Sequence, residues 1–222
     1  MSIATMVIGE SGTGKSTSLR NLSPANTMLI QAVKKPLPFR SKDWRYFDKE
    51  KQRDGNVFVT DNSDDIVKLM NKTRRDVIVI DDFQYILANE FMRRVTDNES
   101  GNSAFAKYNE IARHAWDVLM AATSLADNKR VYILSHTSTD EFGKTKIKTI
   151  GKLLDEKIVM EGLVTIVLRT VVINDQYLFR TRNNGNDTVK SPIDLFADET
   201  IPNDLAAVDA AITEFYGITE NA

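Results

Sequence analysis

Ile3-Ala4-Thr5-Met6-Val7-Ile8-Gly9-Glu10-Ser11-Gly12-Thr13-Gly14-Lys15-Ser16 decides how this chain is read. The apolar run ends at a glycine and predicts a buried strand. Helix formers begin near Lys15 and stop at Ser23-Pro24. Between strand and helix, residues 9–16 match G-x-x-x-x-G-K-[ST] at every fixed position. Glycines let such a loop wrap with its N–H groups inward, and a helix N-terminus adds partial positive charge. The predicted occupant is the phosphate chain of a nucleotide, cradled by Gly9, Glu10, Ser11, Gly12, Thr13, Gly14, Lys15, Ser16 and Thr17. Lys15 is placed to reach the β- and γ-phosphates, and the Ser16 hydroxyl to ligate Mg²⁺.

Val77-Ile78-Val79-Ile80-Asp81-Asp82 supplies the partner motif. Four β-branched residues bury a central strand, and Asp81 emerges at its end to hold Mg²⁺, mostly through water. Hydrolysis also needs a group that orients the attacking water. Asp82 ranks first for this, then Glu10, whereas Glu90 reads as a surface acid. The next strand, Val131-Tyr132-Ile133-Leu134, runs into Ser135-His136-Thr137. His136 there either senses the γ-phosphate or satisfies a loop backbone. His114 falls beside Trp116 on a helix and reads as structural.

Outward from these motifs, strands and helices alternate. Residues 27–31 and 57–59 read as strands, and Ser63 as the cap of a helix with Ile66, Leu69 and Met70 on one face. Residues 34–54, with eight basic and four acidic side chains, read as a polar surface excursion. A long helix is predicted from Phe105, Tyr108, Ile111, Ala112, Ala115, Trp116 and Leu119 at helical spacing. Residues 163–173 and 176–182 predict a hairpin turning at Asn174-Asp175. A last helix opens at Asn203 or Asp204, with Leu205, Val208, Ile212 and Phe215 inward. The fold class is α/β: a mostly parallel sheet, helices on both faces, and an antiparallel hairpin at one edge.

Two basic clusters remain. Arg180 and Arg182 share one face of the hairpin's last strand. They read either as solvated charges or as a pair reaching a neighbouring subunit's γ-phosphate. Lys144, Lys146 and Lys148 alternate, with Lys152 close behind, in a glycine-flanked segment without acids. In extended form the first three face one side, where they would contact nucleic-acid phosphates without reading sequence. Phe142 is the only nearby aromatic for base stacking.

Composition bounds the function. The 222 residues carry 29 basic and 31 acidic side chains, no Cys and only two His. That excludes disulfides, thiol chemistry and a Cys- or His-rich metal site, and fits a reducing cytoplasm. No apolar run is long enough to span a bilayer, and the N-terminus lacks a basic leader, so a cytoplasmic protein without a membrane partner is expected. From residue 194 onward there are seven acids and no Lys or Arg, an acidic tail on a mildly basic body.

The G-E-S-G-T-G-K-S loop, Lys-Pro-Leu-Pro-Phe at 35–39, the 77–83 strand, Ser-His-Thr at 135–137 and Lys-Ser-Pro-Ile-Asp-Leu-Phe at 190–196 together resemble small phage-encoded AAA/RecA-like P-loop ATPases. These include the Sak-type single-strand-annealing proteins. The resemblance implies a RecA-like core over residues 1–200 and an acidic helical end at 201–222. It implies ATP and Mg²⁺ as cofactors and single-stranded DNA as partner in phage recombination or replication, near a single-strand-binding protein. It also implies a homo-oligomeric ring or filament with ATP between subunits. Arg180 and Arg182 are similar to the basic-x-basic finger of DnaB-type helicases, and the lysine segment lies where RecA-like ATPases carry DNA-contacting loops. No Glu closes the second strand; Gln31 is nearest. A helicase-loader-like ATP switch and a small-molecule kinase, with residues 34–53 as its lid, are the alternatives.

Overall fold

The computed structural model describes residues 1–48, 50, 51, 53–95, 102–151 and 158–219, and for 102–105 the backbone alone. Its strands are β1 (Ile3–Gly9), β2 (Thr27–Gln31), β3 (Val57–Val59), β4 (Val77–Asp81), β5 (Arg130–Thr139), β6 (Thr145–Ile147), β7 (Ile166–Ile173), β8 (Gln176–Arg180) and β9 (Thr200–Pro202). Its helices are α1 (Ser63–Lys72), α2 (Gln84–Arg93), α3 (Asn102–Thr123) and α4 (Leu205–Tyr216), with short 3-10 turns at Ser16–Asn21 and Met160–Leu163. Among the described residues the strands form one sheet in the order β3-β2-β4-β5-β1-β7-β8-β9, with β6 paired to β5. β3 through β7 in that order are parallel, and β8, β9 and β6 are antiparallel. The protein is therefore α/β with a mostly parallel mixed sheet.

Side-chain alternation explains why the sheet is covered twice. Ala4, Met6, Ile8, Ile78 and Ile80 enter one apolar cluster with Ile66 of α1, Ile86 and Leu87 of α2, and Ile111 and Leu119 of α3. Val7, Val77 and Val79 enter a second with Leu19, Leu205, Val208 and Ile212. β4 thus buries both faces, which is why Val77–Ile80 is apolar without interruption, and β1 does so with Thr5 as its one polar residue.

Local readings differ from the structure in several places. The segment after the glycine loop is 3-10 rather than α-helical. It opens Ser16-Thr17-Ser18, and the Ser18 hydroxyl donates to the Lys15 carbonyl at 2.6 Å, competing with the helical ladder. Asn62, not Ser63, caps α1, its side chain accepting from the Asp65 N–H at 3.0 Å; Ser63 is buried. α2 adds a helix before the long one that the spacing of residues 84–93 does not announce. In α3 the inward stripe is Ile111, Ala115, Val118, Leu119 and Ala122, while Trp116 is 37% exposed. Phe105 lies outside the described side chains. In α4, capped by Asp204, Leu205, Val208 and Ile212 point inward but Phe215 is exposed, and Asp209 takes an inward place. The hairpin turns at Asn174 and Asp175, both at positive φ, as a tight primed turn requires. The described residues of 34–54 fold back on the sheet edge: Trp44 is buried and Tyr46 bridges to Val57.

Candidate phosphate site

Parallel strands deliver their loops to one edge. Gly9, Asp81 and His136 all arrive there, with Gly9 and His136 in direct register. β5 runs between β1 and β4, so His136 stands between the glycine loop and Asp81.

The loop's glycines are set by geometry. A Cβ on Gly9 would stand 1.8 Å from Thr170 Oγ1 of β7. Gly14 has φ +96°, a region that side-chain-bearing residues rarely enter. Lys15 is buried and folds over the loop, donating to the Gly9 carbonyl at 2.9 Å and the Glu10 carbonyl at 2.8 Å. Burial holds its ammonium below the ordinary lysine range, against the pull of Asp82 and Asp81.

Ser16 Oγ donates to Asp81 Oδ1 at 3.0 Å, joining the two motifs. Burial, and then the neighbouring Asp82, push the Asp81 carboxyl above the usual range. A hydroxyl and a carboxylate at this spacing are the hard oxygen donors that Mg²⁺ takes, with the remaining ligands from phosphate and water. No group of three or more His, Asp or Glu among the described residues is arranged to hold a metal unaided. Ser16 and Asp81 together fit a metal that takes its remaining ligands from outside the protein.

Asp82 adopts φ +65°, a strained conformation at the end of β4. Its carboxylate is bonded by Lys35 Nζ and lies 3.5 Å from His136 Nε2. Burial opposes its ionisation, but the hydrogen bonds from His136 and Lys35 prevail and lower its pKa to about 2. A folded-state pKa below the unfolded value stabilises the protein above the unfolded pKa and is lost as pH falls. Wild type should therefore lose roughly 2 kcal/mol between about pH 4 and pH 2 that Asp82→Asn does not lose. Urea titrations of both proteins across that window measure the difference.

A cavity of about 550 Å³ joins these groups. Ser11, Gly12, Gly14, Lys15, Ser16 and Thr17 line one side; Lys35, Asp82, Tyr85 and His136 line the other. Gly9, Glu10 and Thr13 of the same loop do not line the cavity: Glu10 is exposed, and Thr13 Oγ1 donates to its carbonyl at 2.7 Å. No family model matches this chain, and no curated protein does.

Lys35 and Tyr177 in the cavity wall, and Asn203 behind the loop, are not predicted as site residues. Lys35 lies 47 positions from its partner Asp82. Tyr177 lines the cavity from β8, and Asn203, with both amide atoms buried and unpartnered, sits against Gly14. The signals present are the Lys-Pro-Leu-Pro-Phe segment at 35–39 and an aromatic close after the Asn174-Asp175 turn, and neither assigns a role at the phosphate site. Glu90 belongs elsewhere, facing His114 Nδ1 at 2.9 Å and Arg94 at 3.3 Å on α2 and α3. Arg180 and Arg182 do not line the cavity. Arg180 stands opposite Arg169 with its Nε buried and unpartnered, while Arg182 donates to the Ala197 carbonyl at 2.8 Å.

β5 continues past His136 and turns back as β6, Thr137 pairing with Ile147 and Thr139 with Thr145. Thr145 and Ile147 are buried, so Lys144, Lys146 and Lys148 share the outer face. The Lys148 N–H donates to the His136 carbonyl at 2.8 Å. Phe142, 85% exposed, stands at the tip beside Asp140 and Glu141. Lys152 lies outside the described residues.

Proposed function

We propose that this chain is a RecA-like P-loop ATPase that binds ATP with Mg²⁺ and acts on single-stranded DNA. One observation carries the reading. A single strand, β5, stands between the loop strand and the Asp81 strand, presents His136 to the phosphate cavity, and runs directly into the lysine hairpin. A change at the phosphates is thus three residues from Thr139, where β6 pairing ends.

In this reading the loop N–H groups and Lys15 hold the phosphate chain, and Ser16 and Asp81 hold Mg²⁺, whose charge offsets that of the phosphates. Asp82, too acidic to take a proton readily, orients the attacking water by accepting its hydrogen bond. His136 donates toward the γ-phosphate. Tyr177 offers a ring face beside the loop for the base. Arg180 and Arg182, outside their own cavity, act on a neighbouring copy's nucleotide in a ring or filament. The acidic helical end belongs to the same unit through α4.

The hairpin supplies the test. Reversing Lys144, Lys146 and Lys148 to Glu should weaken single-strand binding at least about tenfold at low salt. The same protein should lose DNA stimulation of ATP turnover while keeping its DNA-free rate. Unchanged affinity and stimulation would remove DNA from the reading and leave a nucleotide switch.

A further inference from the structure

Lys35 lies outside both phosphate motifs, yet it lines the cavity. It bonds Asp82 and stands 3.9 Å from Asp81 Oδ2. Its backbone is fixed four residues beyond β2. The Lys35 carbonyl accepts from Gln31 Nε2 at 3.2 Å and from Tyr46 Oη at 3.1 Å, and Pro36 and Pro38 stiffen the chain beyond it. Gln31 is wholly buried, so the residue nearest the place of a catalytic Glu anchors this lysine instead. The Lys35 side chain is 38% exposed, which leaves its four-carbon stem free to swing.

Topology places the two lysines on opposite sides. Lys15 comes from the loop after β1 and Lys35 from beyond β2, with β4 and β5 between those strands. The Ser16–Asp81 bond marks where a metal and the terminal phosphates meet, and Lys35 Nζ lies within 4 Å of that carboxylate. A γ-phosphate arriving there faces the Asp82 carboxylate as a like charge. Lys35 is the ammonium on that side of the cavity able to offset both.

Taking the cavity as the nucleotide site proposed above, we infer that Lys35 is a second phosphate-binding cation. It contacts the γ-phosphate and makes the site prefer nucleoside triphosphate to diphosphate, with Asp82 as its alternative partner. A charge-assisted hydrogen bond to one added phosphate corresponds to about a tenfold preference or more.

The experiment is calorimetric binding of Mg-ADP and of the Mg complex of the β,γ-imido analogue of ATP. The proteins are wild type, Lys35→Ala, Lys35→Arg, and Lys35→Ala combined with Asp82→Asn. Lys35→Ala should weaken the triphosphate analogue about tenfold and ADP by less than about twofold. ADP binding confirms in the same titration that the variant is folded. Lys35→Arg should recover most of the loss, and adding Asp82→Asn should not. An unchanged triphosphate-to-diphosphate ratio in Lys35→Ala overturns the inference while leaving the nucleotide site intact. So does full recovery in the double variant, because Lys35 would then only shield Asp82. Wild type binding neither nucleotide overturns the site and the inference together.

Discussion

Lys15→Ala is expected to keep the fold and to lose the thermal stabilisation that Mg-ATP gives wild type. Ligand at about 100 times its dissociation constant adds about 2.7 kcal/mol to wild type, which for a chain of this size raises Tm by roughly 5–10 °C. Lys15 Nζ donates to two loop carbonyls, Gly9 and Glu10, and Lys15 belongs to neither apolar cluster, so its removal leaves the core residues in place. What it removes is the buried ammonium that the loop wraps. Melting curves with and without Mg-ATP decide the matter. A Tm rise in Lys15→Ala equal to that of wild type would show that nucleotide binds elsewhere.

Asp209→Ala is expected to cost about 3–5 kcal/mol, because it breaks a buried, bidentate ion pair by removing one partner. Arg130 is 1% exposed on β5. Its Nε donates to Asp209 Oδ1 at 3.1 Å and its Nη2 to Oδ2 at 2.9 Å, while Tyr132 Oη donates to Oδ1 at 2.5 Å. Burial, with the Asp209 charge beside it, pushes the Tyr132 hydroxyl well above its ordinary range, so it stays a donor. Asp209 thus ties α4 to β5 beneath the site. Without it the guanidinium keeps the Asn128 carbonyl and loses both hydrogen bonds to the Asp209 carboxylate. Tm should fall by roughly 10 °C, whereas Asp209→Asn, which keeps an acceptor, should fall less. A shift below about 2 °C in Asp209→Ala would contradict this placing of the charge.

The parts of the fold and site legible in the sequence are those set by local chemistry. The loop from Gly9 to Ser16 is legible because its glycine spacing is local: Gly14 needs its positive φ and Gly9 its lack of a Cβ against Thr170. Residues 77–80 read as a strand because both faces of β4 are buried. Asn174-Asp175 reads as a turn because those side chains tolerate positive φ. The hidden parts depend on contacts across the chain. Asp209 belongs to the acidic tail by composition, yet Arg130, 79 positions away, draws it into the interior. Trp44 sits in a polar stretch, yet Phe39 and the edge of the sheet cover it. Trp116 fits the helical stripe, yet α3 turns Val118 and Ala122 inward instead. Lys35 reads as part of a basic excursion, and only the adjacency of β2 and β4 shows that it reaches Asp82. Helical spacing and composition carry no information about which distant element closes a charge.

Among the described residues no helix is long and apolar enough to cross a membrane. The functional reading turns on the chemistry at the strand ends. The most direct measurement is the steady-state ATP turnover of the full chain with Mg²⁺, alone, with single-stranded DNA and with duplex. Single strands should raise turnover at least about tenfold over the DNA-free rate, a gain of about 1.4 kcal/mol in barrier, and duplex should raise it far less. Equal turnover in all three conditions would contradict a coupling of the phosphate cavity to the lysine hairpin through β5.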